Sequence, residues 1–258
     1  MVKSADRIFQ VLEFIVKNIN GVSHKELSTS LGIPKSSLSA LLANLVDREY
    51  LSFNHIDKRY RLGPTILSIA GQYLSSLDIV QIGQPIVRSV MMETDESTEM
   101  AIRREDKIQI ICKEDCSRPI QRVIRLGDTA PIYATAAGKA ILAYLSIDEI
   151  EDFFSTVKMK KITNKTITDK KVLKRQIDDI RAGKLAYSYE ELDEGLIAMS
   201  APIFDLHGNV VSSIVVPIPS IRFTSKKEKK VERVLRKASV ELSHKLGFDW
   251  NTKARVFK

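Results

Sequence analysis

Between Pro34 and Arg48 the chain sets short hydroxyl, amide and cationic side chains beside a stripe of leucines. Leu38, Leu41, Leu42 and Leu45 recur at helical spacing and make one face apolar. Lys35, Ser36, Ser37, Ser39, Ala40, Ala43 and Asn44 fall largely off that stripe. Small residues let a helix enter the major groove without collision, and hydroxyls and amides bond phosphates or base edges. Ten residues on, Lys58, Arg59 and Arg61 occupy a turn and strand from which a cation reaches the phosphate backbone or the minor groove. The chemistry on offer is recognition of a duplex. A three-helix bundle with a hairpin also serves in protein-interaction modules, so pattern alone leaves that reading open.

Bond-making chemistry finds less support. His24, His55, His207 and His244 are scattered and share no metal-ligand spacing. No Gly-x-Ser-x-Gly elbow is present. Ala137-Gly138-Lys139-Ala140 has a superficial likeness to a phosphate loop but lacks the upstream Gly and the Ser/Thr after Lys. Lys139 is therefore expected to be solvent-exposed or to pack against a helix. Glu190-Glu191 offers two carboxylates, but neighbours on a strand point to opposite faces. Cys112 and Cys116 read either as half of a metal or redox site or, preferably, as a buried strand residue and a loop thiol. No enzyme, cofactor or metal is expected.

The elements that position the polar helix are legible. Apolar residues at Ile8, Val11, Leu12, Ile15 and Val16, widened by Phe9 and Phe14, predict a helix over 4–18. Ser23 with Glu26 three residues on is a capping box opening a second short helix. Gly32 supplies a left-handed turn, Ile33 plugs the core and Pro34 starts the third helix. Residues 50–54 and 59–62 read as a hairpin, the wing of a winged helix-turn-helix. Residues 65–77 predict a connecting helix whose apolar surface would pack on a second copy. From Ile79 the pattern alternates: helices at 79–94, 135–145, 148–154 and 169–182, and strands at 100–102, 108–112, 121–126, 185–188, 196–202 and 210–216. Asp106-Lys107 and His207-Gly208-Asn209 are expected turns. A long basic amphipathic helix over 225–246 closes the pattern. Hairpins with flanking helices imply an α+β fold with a mainly antiparallel sheet.

Length and charge agree with this layout. The 258 residues suit two domains, expected at 1–63 (DNA-binding) and 79–248 (effector-binding), joined by a linker helix over 64–78 and followed by a tail over 249–258. The formal charge is +8, favouring a polyanionic partner, yet the first 62 residues hold only +3 of it. Two cysteines exclude a disulfide scaffold. No signal peptide or apolar span is visible, so a cytoplasmic protein with no membrane partner is expected.

Three stretches together resemble the IclR family of transcriptional regulators. They are Leu31-Gly32-Ile33-Pro34-Lys35-Ser36-Ser37 with Tyr60-Arg61-Leu62-Gly63; Arg125-Leu126-Gly127 with Ala134 through Ala143; and Tyr189-Glu190-Glu191 with Gly195-Leu196, Ala201 through Asp205 and Gly208 through Val211. Order and spacing hold over about residues 4–247. The resemblance implies a winged helix-turn-helix domain, a GAF-like effector domain, homodimers often paired as homotetramers, operator DNA as partner, and a small carboxylate or aromatic acid as effector. It implies DNA contacts from Ser23, the polar face of the third helix and the wing. Its effector pocket maps onto Arg122, Ile124, Leu126 and Ala130, onto Ala136 and Ala137 at a helix start, and onto Ser188, Leu196, Ala198, Val215 and Pro217. A repressor is the commoner type. Three departures stand out. Ala40 replaces a frequent Arg, Val215 and Pro217 stand where small polar residues are frequent, and Ser188 replaces an acidic or amide position.

Overall fold

The computed structural model describes residues 3–18, 20–75, 78–120 and 124–250. The chain divides into two compact units, Met1–Leu77 and Asp78–Lys258.

In the first unit, helix α1 (Lys3–Val16) leads through a short strand β1 (Val22–Ser23) into α2 (His24–Leu31). Ser23 caps α2: its hydroxyl accepts from the Glu26 N–H while the Glu26 carboxylate accepts from the Ser23 N–H, the reciprocal capping box. Gly32 ends α2 at φ 63°, a left-handed conformation that glycine adopts without a Cβ penalty. Helix α3 (Lys35–Asp47) follows at once. Strands β2 (Leu51–Asn54) and β3 (Arg59–Leu62) form the hairpin, and β1 adds to the far side of β3, giving the order β1-β3-β2. The two-residue β1 was not legible in the sequence. Val11, Ile15, Leu27, Ile33, Leu38, Leu42, Leu45 and Leu51 form the core between these elements. Phe9 and Val16, expected on the buried stripe of α1, are 62% and 63% exposed. Helix α4 (Pro64–Ser75) closes the unit.

The second unit is built on a six-stranded, wholly antiparallel sheet of order β6-β5-β4-β9-β8-β7. Helix α5 (Ile79–Thr94) precedes β4 (Thr98–Arg104) and β5 (Lys107–Glu114). The β4–β5 turn falls at Glu105-Asp106, one residue before the expected place, because Glu105 takes the left-handed conformation (φ 56°). The strand expected over 121–126 is not there: Ile124, Arg125 and Leu126 are irregular, and residues 121–123, Arg122 among them, lie outside the described residues. The edge strand is instead β6 (Thr129–Pro131), paired with the start of β5. Helices α6 (Ala136–Leu142), α7 (Ile147–Thr156) and α8 (Lys170–Arg181) pack with Ile108, Ile110, Ala186 and Val215 of the sheet in one core. Strands β7 (Ala186–Tyr189), β8 (Leu196–Phe204) and β9 (Val210–Pro219) follow, and α9 (Ser225–Lys245) packs against α5 and β8. Pro217 and Pro219 extend β9 past Val215, the last residue that β4 pairs, so each has a single strand neighbour, the setting a strand proline requires. Among the described residues no helix is long and apolar enough to cross a membrane.

Candidate functional site

Helix α3 is held from behind and bare in front. Leu38, Leu42 and Leu45 are at most 4% exposed, whereas Lys35, Ser36, Ser37, Ser39, Ala40, Ala43 and Asn44 are all exposed. Those seven residues share the solvent side because the leucine stripe fixes the rotation of the helix. Ser39 is less free than its exposure implies. Its hydroxyl donates to the Lys35 carbonyl (2.9 Å) and lies 3.0 Å from His24 Nε2, so it ties α3 to α2. The Ser23 hydroxyl is occupied by the cap.

The wing is braced by its own charges. Arg59 donates to the Gly21 carbonyl at 2.7 Å and to Glu26 at 3.4 Å. Arg61 pairs with Asp57 and donates to the Asn20 carbonyl at 3.1 Å. The Arg61 contact holds the Asp57 carboxyl below its usual range, and the Ser23 N–H does the same for Glu26. Lys58, in the left-handed conformation (φ 54°), is exposed and has no ion pair among the described residues. Of the three expected wing cations, one projects freely and two brace the hairpin. Ile56 at the tip is 94% exposed.

In the second unit one partly open pocket collects most of the residues expected there. Ala136 and Ala137 from α6, Ser188 from β7, Leu196 and Ala198 from β8, and Val215 and Pro217 from β9 all line it. Ile124 and Ala130 are buried in the adjoining core and do not line it, and Leu126 is 63% exposed. Glu99, Ile108, Ile110, Thr135, Leu192 and Asp193 also line the pocket and were not singled out from the sequence. Ile108 and Ile110 had a readable signal, the alternation that puts both on one face of β5. Glu99 is 2% exposed, and a carboxyl inside an apolar strand gave no sign of facing a cavity. The space is about 30 Å³, room for one or two water molecules.

Two features limit what the start of the Ala136 helix can offer a ligand. That helix is only seven residues long, and its Gly138 N–H is already bonded to the Thr135 hydroxyl at 2.9 Å. The Ser188 hydroxyl donates to the Ala134 carbonyl at 3.0 Å, so it meets a ligand as an acceptor.

Lys139 is not solvent-exposed. It is 0% exposed, with Nζ 2.5 and 2.7 Å from the two Glu191 oxygens and 3.1 Å from the Tyr187 carbonyl. Burial pushes the ammonium pKa down and the carboxyl pKa up, and the contact between them opposes both shifts. The pair pins α6 to the turn that carries Leu192 and Asp193 into the pocket. Glu190 points the other way, onto Lys165. The two carboxylates diverge as expected, though after β7 rather than on it, at a left-handed Glu190 (φ 57°). Cys112 is a buried strand residue, and Cys116, expected as a loop thiol, is also buried at 4% exposure. Burial raises the Cys112 pKa to about 11.

Comparison with known proteins accounts for this arrangement. Residues 4–55 match the IclR helix-turn-helix domain, and residues 71–244 match the C-terminal domain of the bacterial transcriptional regulator IclR. The chain is 26% identical over 245 residues to the HTH-type transcriptional repressor AllR of Klebsiella pneumoniae, covering 95% of this chain and 90% of that one. It is 25% identical over 247 residues to the HTH-type transcriptional regulator KdgR of Escherichia coli, covering 96% and 94%. Among solved structures, the Agrobacterium tumefaciens repressor BlcR superposes with a TM-score of 0.87 at 24% identity, covering 96% of this chain and 99% of that one. Thermotoga maritima IclR superposes with a TM-score of 0.64 at 29% identity, covering 96% and 100%. With both family domains matched in order along its length, the chain belongs to the IclR family of DNA-binding transcriptional regulators.

Proposed function

We propose that this chain is a repressor that binds a palindromic operator as a homodimer or homotetramer and is controlled by a small organic or aromatic acid held in the pocket of the second unit. The observation that carries the reading is α3: a leucine-backed helix whose exposed side holds Lys35, Ser36, Ser37, Ala40 and Asn44, with Lys58 projecting from the wing. Two copies present two such helices to two half-sites. Repression is favoured by the relatives AllR and BlcR, both named as repressors. The domains proposed are residues 1–63 and 79–248, with α4 in the connecting segment 64–78, although the first compact unit includes α4. A cytoplasmic location follows from a DNA partner.

The pocket narrows the effector. Its walls are mostly apolar, and Glu99, Thr135, Ser188 and Asp193 among them are acceptors that call for hydroxyl or N–H donors on the acid. Because the space holds only one or two waters, binding has to widen it. The test is a thermal-shift screen with small hydroxy acids and aromatic acids. A ligand that binds only the folded state raises the melting temperature by mass action. A compound that both raises melting and releases the protein from duplex DNA supports the reading; a screen in which no acid does either removes the effector half of it.

A further inference from the structure

Residues 156–175 carry eight Lys/Arg and one Asp, a net of +7 in a chain whose whole formal charge is +8. They form one continuous piece of surface, the end of α7, the loop after it and the first half of α8. All eight cations are exposed. Among the described residues only Lys165 has an ion pair, to Glu190, and Lys170 donates to the Phe154 carbonyl. Lys158 and Lys160 border a hollow that also holds Glu105, Asp106 and Asp152, whereas Lys161, Lys171, Lys174 and Arg175 do not line it.

Two observations separate this surface from an ordinary solvated charge run. The loop is built rather than loose. Thr163 and Thr166 are each 8% exposed; the Thr166 hydroxyl accepts from the Ile162 and Thr163 N–H groups and donates to the Glu191 carbonyl at 2.7 Å. The Thr163 hydroxyl donates to the Glu190 carbonyl at 2.7 Å, and the Tyr133 hydroxyl accepts from the Lys160 N–H at 2.9 Å. The lysines are thus mounted on a fixed frame. Their placement also works against stability. Lys170 and Lys171 sit in the first turn of α8, at the positive end of its dipole, where cations are disfavoured. Lys170 with Lys174, and Lys171 with Arg175, are like-charge pairs four residues apart, which destabilise a helix. Within 156–175 Asp169 at the cap is the one offsetting charge, while Asp178 and Asp179 stand four residues beyond Lys174 and Arg175 on α8.

We propose that this surface is a second, sequence-independent contact for duplex DNA, resting on the reading that α3 is the sequence reader. Lysine is a compact point charge suited to phosphate oxygens, and it is depleted from protein–protein interfaces. Duplex DNA therefore fits better than an acidic protein.

The experiment compares the full chain with its Lys161→Gln/Lys171→Gln/Lys174→Gln/Arg175→Gln variant on a duplex from the region upstream of its own gene, across a salt series. Each phosphate neutralised contributes about 0.9 to the slope of log affinity against log salt, so four lost contacts flatten it by about 3–4. The variant is expected to bind at least about tenfold more weakly at low salt, with a melting temperature equal to or above the parent because the repulsion is relieved. Equal slopes and affinities, with the parent still preferring its own duplex over heparin, overturn this proposal alone and leave an acidic protein as the partner. A parent that shows no such preference overturns the α3 reading and this proposal with it.

Discussion

Ser39 and Ser37 lie two residues apart on the exposed side of α3, yet only Ser39 is committed, to His24 and to the Lys35 carbonyl. On the proposed reading, contact with a duplex falls to Lys35, Ser36, Ser37 and Asn44, with Ala40 presenting only a methyl group. Lys35→Ala is expected to weaken binding about tenfold at every sequence and to lower the salt slope by about 1, measured by anisotropy across a salt series. Exposure was legible for this face because periodicity fixes it. It was not legible for Lys139, where only the fold shows that Glu191 is waiting in a dry interior. Removing one member of such a pair leaves the other charge buried. Lys139→Met is expected to cost about 3–5 kcal/mol, and the Lys139→Met/Glu191→Leu double variant much less, measured by denaturant unfolding. Cys112 gives a pH test. Its folded pKa of about 11 lies above the ordinary thiol value, so the protonated thiol is favoured in the native state. Its contribution is complete below about pH 8.5 and is lost as pH rises through 11. Cys112→Ala should flatten the alkaline loss of stability; an unchanged alkaline limb would contradict the assignment.

The capping boxes at Ser23 and Ser146 are elements whose ends are written locally, in four residues each. The sequence showed the first and the structure added the second. Ser23→Ala is expected to destabilise the first unit by about 1 kcal/mol and to loosen the β1–α2 junction. The sheet was harder to read. Alternation at Ile124 and Leu126 imitates a strand, whereas β6 is three residues ending in a proline and carries no pattern of its own. It is fixed by pairing with β5, a contact no local window contains. Helix α6 has a second non-local constraint. A Cβ on Gly138 would lie 2.0 Å from the Ile132 carbonyl oxygen, which is backbone and cannot move aside. Gly138→Ala is therefore expected to displace α6 and with it Ala136 and Ala137. The check is a fall in melting temperature together with loss of any effector-induced shift.

Across the whole molecule, the order of strands places β4 beside β9, elements more than a hundred residues apart, and only that closure brings Glu99 and Val215 together at the pocket. Periodicity could not predict it. The resemblance to a family pointed to Ala136, Ala137, Ser188, Leu196, Ala198, Val215 and Pro217, because motif order carries the memory of a shared fold. The same resemblance also pointed to Ile124 and Ala130, which are buried beside the pocket, and to Leu126, whose side chain is turned to solvent. Charge is likewise a property of the whole chain: the first unit, with its polar α3, holds little of the excess, and residues 156–175 hold most of it. The central claim remains that the exposed side of α3 reads a duplex. Its most direct test is competition between a palindromic duplex from the upstream region and unrelated duplex of equal length, for the parent and for Ser37→Glu. The account predicts that the parent prefers the palindrome by at least about a thousandfold and that Ser37→Glu loses this preference while melting at the parent's temperature. A variant that retains the parent's full preference would contradict it.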